Sequence, residues 1–125
     1  KSFEIRLYNR DLEITDRIVL DEYIENFDEI ANSEDFLEQF QLRTTVSDDG
    51  QLLIIYTTSG CFLYDRNLKQ TSTINIDVNR LFGERIFLAF SSESEVQIYR
   101  VNLEEVTREP LGTIDLTTLE AKWLE

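Results

Sequence analysis

Leu7-Tyr8-Asn9-Arg10-Asp11-Leu12 recurs as Leu63-Tyr64-Asp65-Arg66-Asn67-Leu68, 56 positions later and without a gap. Seven of the fifteen residues in 7–21 are identical in 63–77, and Thr15/Thr71, Ile18/Ile74 and Asp21/Asp77 carry the match downstream. Self-similarity constrains a fold more than any single motif, because a unit repeated in sequence buries the same face each time. Here the unit is a strand ending in an aliphatic residue and tyrosine, a polar turn closed by leucine, and a returning strand with apolar residues two apart. A weaker third copy starts at Ile98-Tyr99-Arg100-Val101-Asn102-Leu103, 35 positions after the second, and ends in Gly112–Leu116 once a short insertion is allowed.

The surrounding residues read as further strands: 3–8 alternates apolar and polar, and Ile18-Val19-Leu20 centres a second short strand. Leu42–Ser47, Leu52–Thr58, Cys61–Tyr64, Thr71–Ile76, Arg85–Phe90, Val96–Val101 and Gly112–Leu116 follow, with Asp49-Gly50 and Ser59-Gly60 as turns between the first three. Two segments depart from this pattern. Residues 21–41 carry Tyr23, Ile24, Phe27, Ile30, Ala31, Phe36, Leu37 and Phe40 at helical intervals, with Asp21 and Ser33 as candidate caps. Residues 117–125 read as the start of a C-terminal helix, from the capping-box spacing of Thr117 and Glu120 and the shared face of Leu116, Leu119 and Trp123.

The order Ser47-Asp48-Asp49-Gly50, strand, Ser59-Gly60, strand, Leu63-Tyr64-Asp65, strand resembles a blade of a WD40-like β-propeller. It covers 42–77 closely, 78–116 loosely, and at 3–21 only the outer hairpin of a blade. The Gly-His pair of such blades is absent, and Tyr64-Asp65 stands in the place of Trp-Asp. The resemblance implies about two and a half blades, short of the roughly four that a closed ring needs. The expected fold is thus mainly β, an antiparallel blade-like meander with a short acidic helical insert. A small closed barrel or sandwich with one or two covering helices is the alternative. One domain or domain fragment spans 1–125, a length sufficient for a single core.

Composition narrows the function. Twenty-five acidic against 12 basic residues give a net charge of −13, which disfavours direct contact with nucleic acid or an anionic membrane. With 42% hydrophobic residues the chain is nonetheless expected to fold. Histidine is absent, which removes the usual general base and the commonest metal ligand. The four glycines are isolated at turns and form no phosphate-cradling loop, and Asp48-Asp49-Gly50 lacks the later ligands of a calcium loop. The single cysteine, Cys61, has no disulfide partner and is expected as a small core residue. No catalytic residue, cofactor or metal is therefore assigned, and an intracellular setting, cytoplasmic or nuclear, is expected.

The most distinctive segment lies between Arg17 and Arg43, where eight carboxylates occur without a basic residue. Tyr23, Phe27, Asp28, Glu29, Glu34, Asp35 and Phe36 are the candidate partner-binding residues, aromatics to anchor and acids to steer. The expected function is a non-catalytic protein-protein interaction module within an intracellular scaffold or multi-subunit assembly, binding a protein with a basic surface. Association into an oligomer or a partner-completed ring fits the repeat. The alternative is a self-contained acidic inhibitor that imitates nucleic acid in a basic cleft.

Overall fold

In a computed structural model, residues 3–35 and 40–124 are described. Ten strands form three antiparallel sheets. Sheet I is the hairpin β1 (Glu4–Tyr8) and β2 (Ile14–Val19). Sheet II is a four-stranded meander of β3 (Leu42–Val46), β4 (Leu52–Thr57), β5 (Gly60–Asp65) and β6 (Gln70–Ile74). Sheet III repeats that order with β7 (Ile86–Phe90), β8 (Glu95–Asn102), β9 (Thr107–Asp115) and β10 (Glu120–Trp123). The sheets are open; no barrel closes among the described residues, and the β meander expected from the sequence is the fold.

Sheet II is the middle layer. Strand β4 carries no polar alternation: Leu53 and Ile55 enter one apolar cluster, Ile54 and Tyr56 the other. An unbroken apolar run is what a strand covered on both faces requires. Between sheets II and III, Ile54, Tyr56, Cys61 and Ile74 meet Leu88, Val96, Ile98 and Ile114. On the opposite face, Leu53, Ile55, Phe62 and Tyr64 join a cluster with Ile18 of β2 and Leu20. Fully enclosing a residue such as Ile54 stabilises by about 1.5–3 kcal/mol, so both clusters pin the middle sheet.

One turn design closes three of the hairpins. Asp65 accepts from the amides of Asn67 and Leu68, Asn102 from those of Glu104 and Glu105, and Asp115 from that of Thr117. The fourth residue after each, Lys69, Val106 or Leu119, takes a left-handed φ of 53°, 54° or 60°. The carboxylate or amide oxygen thus holds the first half of the turn while the left-handed residue turns the chain back into the sheet. Asn9 makes a one-residue-shorter version, with Leu12 at φ 63°.

One expected helix is corrected, and the acidic insert holds a shorter one than its spacing suggests. The helix expected over 117–125 does not form among the described residues 117–124: Asp115 accepts from the Thr117 amide and hydroxyl, and Glu120–Trp123 pairs with β9 from Glu120↔Asp115 to Trp123↔Gly112. Leu119, Ala121 and Trp123, two apart, all pack on the core between sheets II and III, so strand spacing uses the apolar residues as well as helical spacing would. Among the described residues of 21–41 the helix is confined to α1 (Phe27–Ala31), because Asn26 is left-handed and Asp21 accepts from the Phe3 amide at 2.8 Å; Phe36 and Leu37 of the second expected piece lie outside the described residues. A 3-10 turn, Val78–Phe82, links sheets II and III. Among the described residues no helix is long and apolar enough to cross a membrane.

Candidate interaction surface

The acidic segment is anchored from one side. Ile24, Phe27 and Ala31, spaced by three and four, are buried in the cluster that also holds Leu53, Ile55 and Phe62 of sheet II. The opposite side is polar: Glu22, Glu25, Asp28 and Glu29 are exposed. Asp21, Glu22, Asn26, Phe27, Asp28 and Glu29 line an open groove of about 480 Å³. Four carboxylates around one groove produce a negative local field that attracts a cationic side chain.

The expected binding residues separate on inspection. Asp28 and Glu29 lie together in the groove, and Glu34 and Asp35 are exposed just beyond the helix. Tyr23 is 39% exposed and its ring lies 6.0 Å from that of Phe62. Phe27 is corrected: only 5% of its surface is exposed, so it packs inward and is unavailable as an anchor. Phe36 lies outside the described residues. The sequence shows an aromatic at helical spacing but not which side of a short helix the sheet covers.

A second groove, about 330 Å³, shares Glu22 with the first and adds Tyr23, Arg17, Lys69 and Tyr64. Beside it lies a charged network that sequence reasoning passed over. Asp16 is buried, and its carboxylate accepts from Tyr64 Oη at 2.8 Å, Thr15 Oγ1 at 2.8 Å and Arg66 Nε at 3.1 Å, and from Lys69 Nζ. Burial acts to raise the Asp16 pKa, but hydrogen bonds from Lys69, Tyr64 and Thr15 outweigh it and hold the carboxyl at about 2. Burial first, and then the bond to Asp16, pushes the Tyr64 hydroxyl up to about 12. This network joins the two copies of the sequence repeat, β2 from the first and the Tyr64–Lys69 turn from the second. The signal was an acid, Asp16, at an inward position of β2 between exposed Thr15 and Arg17.

Cys61 is buried between sheets II and III, and burial raises its thiol to about 12, so it is protonated at neutral pH. Among the described residues no group of three or more Cys, Asp or Glu is placed to hold a metal ion. No family model, no curated protein and no solved structure matches this chain.

Proposed function

We propose that the chain is a non-catalytic protein-interaction module in which a stack of blade-like sheets presents an acidic surface to a basic partner. The observation that carries this reading is the groove at α1, where Asp21, Glu22, Asp28 and Glu29 surround open space while Phe27 and Ala31 fix the helix beneath them. A rigidly seated charged rim accelerates encounter and selects partner sign, and Tyr23 beside it offers a part-exposed ring for contact. The stack itself supports the propeller-like part of the proposal: two consecutive four-stranded meanders share strand order, with a two-stranded hairpin before them. A scaffold role within an intracellular assembly accords with a lone cysteine that is free and buried.

The mimic reading is less favoured. Its carboxylates would have to run in regular rows, whereas those of 21–35 are divided between a five-residue helix and the turns on either side of it, with Arg17 and Lys69 in the adjoining groove.

The test is quantitative cross-linking in cells with the wild-type chain, a Glu22→Lys/Asp28→Lys/Glu29→Lys variant, and a distant Glu84→Lys control. A defined basic partner that is lost from the triple variant and kept by the control is expected. Identical cross-link profiles for all three chains refute the surface.

A further inference from the structure

Sheet I packs on sheet II and sheet II on sheet III, which among the described residues leaves two sheet faces uncovered. They differ in chemistry. On the outer face of sheet III, Phe87 is opposite Tyr99 with ring centroids 6.1 Å apart, and the Arg108 guanidinium lies 4.4 Å from the Tyr99 ring centre. Phe87 is 43% exposed there. Beside this apolar strip, Glu95, Asp115 and Glu120 occupy one cross-strand row over β8, β9 and β10. All three line a groove of about 300 Å³ in which Lys122 is the single cation. Each carboxylate accepts a neutral hydrogen bond, Glu95 from Ser91, Asp115 from Thr117 and Glu120 from Asn75, but like charges directly opposite on a sheet remain destabilising, so this row gains from an incoming cation.

The outer face of sheet I has the opposite excess. Ile5 and Leu7 face inward with Ile18 and Asp16, which turns Glu4, Arg6, Arg17 and Val19 outward. Arg6 and Arg17 share one acid, Glu4, at 2.9 and 3.2 Å. Val19 and Tyr8 add exposed apolar surface.

We infer that the outer face of sheet III is covered by the outer face of sheet I from a second copy of this chain, head to tail, so that the stacking order continues from one molecule into the next. Face-to-face pairing of like sheets is disfavoured, since it sets acid row against acid row, or arginine against arginine. The head-to-tail arrangement brings Arg6 and Arg17 over the row of Glu95, Asp115 and Glu120, and one apolar flank of the arginine pair, Tyr8 at one end of the hairpin or Val19 at the other, toward Phe87. Such an interface is heterologous: it closes into a ring if the rotation permits and otherwise extends. Arg17 and Val19 also border the groove of Glu22 and Tyr23, but the interface uses neither face of α1, and its failure reads as lost self-association rather than as a lost basic partner.

The experiment is sedimentation velocity across the micromolar range for the wild-type chain, Phe87→Lys, Arg17→Glu and an equimolar mixture of the two variants. Wild type is expected to gain mass with concentration, and each variant alone to associate at least tenfold more weakly. Mixed, they are expected to form a one-to-one dimer, because the Arg17→Glu chain keeps its sheet III face and the Phe87→Lys chain its sheet I face. Glu95→Lys replaces Phe87→Lys if circular dichroism shows that variant unfolded. Wild type that stays monomeric overturns the inference. So does either variant that associates like wild type, or a mixture that fails to pair while wild type self-associates.

Discussion

Replacing Asp16 should reveal how strongly the hairpin of sheet I is locked to sheet II. In Asp16→Ala the Tyr64 hydroxyl, buried and 2.8 Å from the lost carboxylate, is left without its acceptor. The side chains of Arg66 and Lys69 are 30% and 57% exposed and can turn to water, which softens the loss. Breaking a fully buried charge pair costs about 3–5 kcal/mol, so with two of the donors rescued by solvent a cost of about 2–4 kcal/mol is expected. Urea denaturation followed by tryptophan fluorescence and circular dichroism would register this as a midpoint lowered by about 1–2 M, for a slope of the usual size. The charge itself is isolated by Asp16→Asn. A carboxyl at about 2 in the folded chain against 3.8 when free contributes about 2 kcal/mol at neutral pH. Because the folded value is the lower one, that contribution is complete above the free value and disappears as the pH falls toward the folded one. Wild type should therefore lose about 2 kcal/mol more than Asp16→Asn between pH 6 and pH 2. Parallel acid limbs for the two proteins, or an Asp16→Ala cost below about 1 kcal/mol, would refute the reasoning.

Three further substitutions probe packing and backbone. Phe27→Ser should cost about 3–5 kcal/mol in urea denaturation, as for other buried rings; a chain as stable as wild type would return Phe27 to the surface. Gly112→Ala places a methyl group 2.6 Å from the Lys122 carbonyl oxygen and 3.1 Å from the Trp123 Cα, both backbone atoms of β10. A loss of about 2–3 kcal/mol is expected, with faster amide exchange confined to β9 and β10; an unchanged midpoint would contradict the close approach of these strands. Val106, β-branched and exposed, holds φ 54°, so Val106→Asn should raise stability by about 1 kcal/mol; a decrease would show that the turn depends on the valine.

Much of the architecture was legible because hairpins announce themselves locally. Asp49-Gly50 and the polar turn at 65–69 fix the strands of sheet II, and the 7–21 and 63–77 copies fold as the corresponding hairpins β1–β2 and β5–β6. The third copy was legible only in outline. Ile98-Tyr99 lies on the second strand of sheet III, whereas Leu63-Tyr64 lies on the third strand of sheet II. The positional counterpart of Leu63-Tyr64-Asp65 is Thr113-Ile114-Asp115, where an isoleucine replaces the tyrosine. A meander alternates apolar residues on every strand, so a shift by one strand preserves the pattern. That slip also hides β10: with the last hairpin placed one strand early, Leu116, Leu119 and Trp123 are left at helical spacing, whereas the strand uses Leu119, Ala121 and Trp123. At the candidate surface, the density of acids in 21–35 was plain, but the inward side of α1 depends on which residues sheet II covers. The Asp16 network was illegible for a related reason, since its partners Tyr64, Arg66 and Lys69 lie some 50 residues away and meet it only when the sheets stack.

Native-state hydrogen exchange tests most directly the claim that a middle sheet sealed on both faces holds outer surfaces free for partners. The slowest amides should be those of β4 and β5, exchanging only through global unfolding, while β1–β2 opens at lower free energy and 21–35 is fastest among the structured segments. Protection greater in β1–β2 or in sheet III than in β4 and β5 would contradict the stack, and with it the assignment of function to its exposed faces.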